Sequence, residues 1–137
     1  MHLKSDLITH GDRQAETAKN IRKREVAIAQ LLTHVHDVIG TTMPTIKAVV
    51  IGGDFNTNRD QAMFAAERTL DSLADAGYRN GFEGLPLSGR VTHPGNHGFP
   101  DATFDFIFAK GLTAPQPTIT RTNASDHWPV TRDFSLH

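Results

Sequence analysis

Two short clusters hold the residue types that could do chemistry: Gly53-Asp54-Phe55-Asn56 and Ser125-Asp126-His127-Trp128-Pro129-Val130. Asp54 and Asn56 stand two residues apart. On an extended backbone side chains alternate, so this spacing predicts that the carboxylate and the amide point the same way. Hydrolysis of a phosphate ester needs such a pair, one group to handle a water and one to donate to a phosphoryl oxygen. Read alone, Asp-x-Asn is first a polar turn after a core strand. Asp54, Asn56, Asn58 and Asp60 also alternate as in a calcium loop. That reading fails, because Arg59 stands where the loop needs glycine and Ala65 where it needs glutamate. The downstream cluster lifts the pair above a turn. It is not a serine triad, since consecutive side chains diverge and no nucleophile elbow is present. Asp105 adds an acid, and an imidazole held by a carboxylate is a better base that carries its cationic form more easily. The His-x-x-x-His spacing of His93 and His97 raises zinc. Without a helix or further ligands it is read as part of a substrate loop.

These residues must be positioned by the elements between them. The apolar run 46–53 reads as a buried strand ending in two glycines, which permit a tight turn and close approach. Ahead of it, Ala18, Ile21, Ile28, Leu32, Val35 and Ile39 recur at helical steps from Asp12 onward, with Gly40 as the stop and Pro44 preventing resumption. Arg22-Lys23-Arg24 on this helix reads as a solvated face. A second helix is expected from a cap at Thr57 or Asn58, with the stripe Met63, Ala66, Leu70, Leu73 and Gly77 at C′. Residues 79–101 hold no sustained period, and a loop of that length is more often functional than filler. Phe104, Phe106 and Phe108 alternate with Asp105 and Ile107, a strand over 103–109. Short strands follow over 118–121 and 128–134, joined by a turn at 122–125. The order predicts an α+β fold, a mixed sheet with helices layered on one face.

Composition narrows the classes. A chain of 137 residues makes one domain, 1–137, the expectation. A net charge of −1 shows no basic excess of the kind that marks a nucleic-acid binder. With no cysteine, disulfides and thiolate metal sites are excluded. No apolar run reaches the length of a membrane helix, and no signal-peptide pattern is visible, which leaves localisation open between cytoplasm and secretion.

The Gly53-Asp54-Phe55-Asn56, Thr103-Phe104-Asp105-Phe106-Ile107-Phe108 and Ser125-Asp126-His127-Trp128-Pro129-Val130 segments together resemble the endonuclease/exonuclease/phosphatase superfamily. This is the metal-dependent phosphodiesterase fold of deoxyribonucleases, apurinic endonucleases, sphingomyelinases and inositol-phosphate phosphatases. The resemblance implies Mg²⁺ or Mn²⁺ chemistry. Asp54 would orient or deprotonate the attacking water, and Asn56 would bind a nonbridging phosphate oxygen. His127 would contact the scissile phosphate and transfer protons, with Asp105 orienting its ring. Asp126 would help hold the metal, and His2 would correspond to an additional catalytic histidine of nuclease-like members.

Members of that superfamily pair two similar α/β halves in a four-layer αββα sandwich, and the resemblance here covers only the second half. The expectation is therefore a truncated, C-terminal half, in which the glutamate metal ligand and strand asparagine of the first half have no counterpart. Residues 1–137 alone would bind Mg²⁺ weakly, in the roughly millimolar range, with little turnover. The alternative is a non-catalytic α/β module that retains the motifs without a complete metal site. The substrate, whether nucleic acid, lipid or small molecule, is left open because the fold hosts all three. Phe82, Leu85, Leu87 and Phe99 of the long loop could meet a lipid or a base, or be core. Apolar side chains on both sheet faces predict a homodimer formed through the face that the helices leave open.

Overall fold

The computed structural model describes residues 1–5, 8, 11–43, 45–96 and 98–135. The fold is α+β. Helix α1 (Arg13–Asp37) starts at Asp12, whose backbone is extended and whose carboxylate accepts the N–H groups of Gln14 and Ala15 at 2.8 and 3.2 Å. It buries Asn20, Arg24 and Ile28, with Ala27, Leu31 and Leu32 packed beside them. The buried stripe is thus turned from the expected one. Ala18 is exposed, and Arg24, expected in solvent, is 0 % exposed. Its guanidinium is gripped by Glu67, Nε to Oε1 at 2.8 Å and Nη2 to Oε2 at 2.6 Å, and it stacks over Phe64. A buried cation persists only with such a partner. That partner lies 43 residues away, so no local charge pattern announces it. Past Asp37 the chain does not stop at Gly40 but widens into a π turn over Val38–Thr42. Pro44, expected to block resumption, lies outside the described residues.

Strand β1 (Val49–Asp54) pairs antiparallel with β3 (Asp105–Lys110), and β3 pairs antiparallel with β2 (Arg79–Asn80). The sheet is thus antiparallel where a mixed one was expected, and the parallel sense occurs only in the isolated bridge of His2 to Asp54 among the described residues. Ile51, Phe106 and Phe108 share the face covered by Ile28 of α1 and by Leu70 and Leu73 of α2 (Thr69–Asp75). Phe55 completes this core, its ring centroid 5.7 Å from Phe106 and 5.5 Å from Phe108. On the opposite face Val50 is 45 % exposed and Ile107 half-buried.

Helix α2 begins later than the expected cap at Thr57 or Asn58. The Asn58 side chain instead accepts the N–H groups of Asp60 and Gln61, folding a turn that competes with helix. A 3₁₀ turn over Ala62–Phe64 follows, which buries Phe64 and leaves Met63 and Ala66 exposed. The helix ends as expected at Gly77, φ +84°. Its N–H reaches Ala74 O and that of Tyr78 reaches Leu73 O, the paired bonds of a Schellman cap. The long segment 79–101 carries β2, a 3₁₀ turn over Leu87–Gly89 and the bridge of His93 with Ala102. Phe82 belongs to the core, whereas Phe99 is 63 % exposed. Strands β4 (Thr118–Ile119) and β5 (Val130–Thr131) form a short hairpin docked on the core through Ile119 and Val130. Among the described residues no helix is long and apolar enough to cross a membrane.

Candidate active site

Asp54 ends β1 directly opposite Asp105, which starts β3, so the register of one antiparallel pair sets two carboxylates side by side. Phe55 is fully buried and its N–H donates to Phe104 O at 2.7 Å. That anchor turns the flanking Asp54 and Asn56 away from the core. The strand does not continue through Asn56, which adopts a left-handed φ of 51°. Asparagine tolerates this region better than most residues. The Asp54 carboxylate accepts the Asn56 backbone N–H at 2.8 Å and its side-chain amide at 2.9 Å. The expected proximity of the pair is therefore made by a side-chain turn and not by strand alternation. The other Asn56 amide contact goes to Leu3 O at 3.1 Å.

The segment 1–3 lies along the end of β1. Asp54 N donates to Met1 O at 3.0 Å, and Leu3 N donates to Asp54 O at 2.9 Å. This brings His2 Nε2 to 3.5 Å from Asp54 Oδ2, with the imidazole 74 % exposed. Gly53 permits the approach. Its φ is +148°, and a Cβ there would fall 1.9 Å from Met1 O.

His127 comes from the segment between β4 and β5. Its N–H donates to Ser125 Oγ at 3.1 Å, and the next residue's N–H, that of Trp128, donates to Thr92 O at 2.7 Å. His127 Nδ1 stands 2.7 Å from Asp105 Oδ2. A carboxylate only accepts, so Nδ1 carries the hydrogen and Nε2 faces outward. The ligating atoms of Asp54, Asp105 and His127 lie within 4.8 Å of one another. Asp126 is exposed and falls in a second group with His93 and His127, drawn together within the same distance. His97 lies outside the described residues.

Burial raises the Asp54 carboxyl above its ordinary 3.8, and the neighbouring Asp105 charge pushes the same way against the Asn56 N–H, His127 and His2. For His127, burial opposes the imidazolium. The Asp105 hydrogen bond and the charges of Asp105, Asp54 and Asp126 outweigh it, and the pKa stands above 6.5. One cleft thus holds a carboxylate made more basic and an imidazole made a better proton carrier. Gly53, Ile107, Trp128, Pro129 and Val130 wall a cavity of about 320 Å³ against Asp105 and His127.

Asp54, Asn56, Asp105, His127 and His2 all meet here. His93, expected in a substrate loop, has its ring centroid 4.9 Å from that of His127. The signal was the histidine itself; the bridge to Ala102 that carries it inward has no local signature. No family model, curated protein or solved structure matches the chain.

Proposed function

We propose that this chain carries the chemistry of a Mg²⁺- or Mn²⁺-dependent phosphoesterase, hydrolysing a phosphodiester or phosphomonoester by in-line attack of water. The observation that carries the reading is the Asp105–His127 pair, 2.7 Å apart, set against Asp54. Asp54, with its raised pKa, orients and deprotonates the water. His127 presents Nε2 to the phosphate as donor and proton source while Asp105 fixes its ring and tautomer. Asn56 donates to a nonbridging oxygen, which requires its amide to leave Leu3 O or Asp54 Oδ2. His2 adds a donor on the exposed side of Asp54.

The donor set suits a hard divalent ion held loosely. Asp54 and Asp105 offer carboxylate oxygens beside His127, Asp126 falls in the second group with His93 and His127, and no glutamate joins either group among the described residues. Bound there, such an ion would supply positive charge to the phosphoryl group. The thin ligand set also favours the reading that residues 1–137 correspond to the C-terminal half of the superfamily's domain and turn over poorly alone. The same thinness supports the alternative, a non-catalytic module. The substrate is a phosphate ester of nucleic acid, lipid or small-molecule type, and homodimerisation through the open sheet face belongs to the same proposal.

The test is hydrolysis of bis(p-nitrophenyl) phosphate and p-nitrophenyl phosphate by the longest natural reading frame containing these residues. Turnover that requires Mg²⁺ or Mn²⁺ and is removed by chelation is expected. Absence of turnover on both esters with either metal overturns the reading.

A further inference from the structure

We propose that His93, Asp126 and His127 form a binding site for a divalent transition-metal ion of the Zn²⁺ class, set apart by its donors from the hard-ion chemistry above. One ligand atom from each of the three residues lies within 4.8 Å of the others. Tetrahedral zinc at ordinary bond lengths separates its ligand atoms by roughly 3.3 Å, so closure asks for at most about 1.5 Å of approach between ligand atoms. Two imidazoles and one carboxylate are a poor set for Mg²⁺, which wants oxygen, and a good one for Zn²⁺, Co²⁺ or Ni²⁺.

Three further features point to a ligand. His93 Nδ1 is shut off from solvent with no hydrogen-bond partner among the described residues. A buried imidazole nitrogen left this way is costly, and a metal ion answers it. The second is His127, whose Nδ1 is held by Asp105, so that Nε2 is the nitrogen left to ligate an ion. This is the carboxylate–histidine–metal arrangement that fixes tautomer and ring angle. The third is that the two ligand-bearing segments are stitched together before any metal arrives. His93 N donates to Ala102 O at 3.0 Å and Ala102 N returns to His93 O at 2.9 Å, while Trp128 N reaches Thr92 O at 2.7 Å. Asp126 is exposed, and its Oδ1 accepts from Ser125 Oγ at 3.3 Å.

His127 is shared by both groups of ligands. A transition metal seated on it withdraws the imidazole from proton transfer. On the phosphoesterase reading, such an ion therefore inhibits turnover supported by Mg²⁺.

Cobalt(II) is the probe, titrated into residues 1–137. The expected result is one equivalent bound with the visible d–d bands of a low-coordinate nitrogen–oxygen site. Affinity should fall about hundredfold in His93→Ala and in Asp126→Ala, a loss at least as large as that of an outer-shell partner. His34→Ala, at an exposed position of α1, should bind as the parent does. Asp126 is at the surface, so that variant keeps the test valid if His93→Ala misfolds. Featureless spectra in excess cobalt, or bands unchanged in Asp126→Ala, overturn the site. Because the readout is binding, it stands or falls independently of whether any ester is hydrolysed.

Discussion

Asp105 acts on two neighbours at once. Its hydrogen bond and charge raise His127, and its charge adds to the burial that raises Asp54. In the proposed roles, the rate rises as Asp54 loses its proton and falls as His127 loses its own. Both limbs of the pH–rate profile therefore lie above the positions set by an ordinary aspartate at 3.8 and an ordinary histidine at 6.5. In Asp105→Asn the charged hydrogen-bond partner of His127 is gone, while burial, which lowers its pKa, and the weaker support of Asp54 and Asp126 remain. The alkaline limb should then move to lower pH, and the acid limb should follow because Asp54 loses a repelling charge. A profile of kcat/KM against pH checks this, and an alkaline limb unmoved by the substitution contradicts it. At this scale the residues were legible: Asp54, Asn56, Asp105, His127 and His2 stand in short motifs at strand ends. What the motifs could not convey is how Asn56 meets Asp54, since a left-handed residue after β1 replaces the simple alternation of side chains.

The elements hold the site by two devices. One is Gly53, whose missing Cβ lets Met1 lie against β1 and brings His2 to Asp54. Gly53→Ala should expel the segment 1–3, expose it to limited proteolysis, and loosen Asn56, which bonds Leu3 O. Retention of parental protease resistance there would count against the packing described. The other device is Arg24, which joins α1 to Glu67 and also donates to Lys4 O at 3.0 Å, bracing the same segment from the helix side. Glu67→Ala removes the bidentate carboxylate from a buried guanidinium and should cost about 3–5 kcal/mol in urea unfolding. A loss below about 1 kcal/mol would mean the pair is not buried in solution. This device was not legible. Arg24 sits in a basic triplet that looks solvated, and Glu67 precedes a helix whose start was expected some ten residues earlier. The Asn58 turn displaced that start, a local side-chain competition that periodicity does not detect. The sheet strands and the Gly77 stop were legible because alternation and a C′ glycine are local signals.

For the whole molecule, the unequal treatment of the two sheet faces matters most. Helices α1 and α2 cover Ile51, Phe106 and Phe108, while Val50 and Ile107 face the other way, one exposed and one half-buried. Consecutive valines and isoleucine at 49–51 had required such a second face. A second copy laid sheet on sheet would cover it. Sedimentation equilibrium of residues 1–137 is expected to show a dimer, and Val50→Glu to shift it to monomer. Monomer mass throughout the concentration range contradicts the pairing.

The most direct measurement on the central claim is a double-mutant cycle of turnover in the natural reading frame that contains the site. Asp54→Asn and His127→Ala remove the base and the proton carrier of one catalytic unit. Each should lower phosphodiester turnover by about a hundredfold or more with unchanged circular dichroism. Since the two act together, the double variant should lose little beyond the worse single one. Parental rates in both single variants would contradict the account, and losses that simply multiply would contradict the coupling between Asp54 and His127.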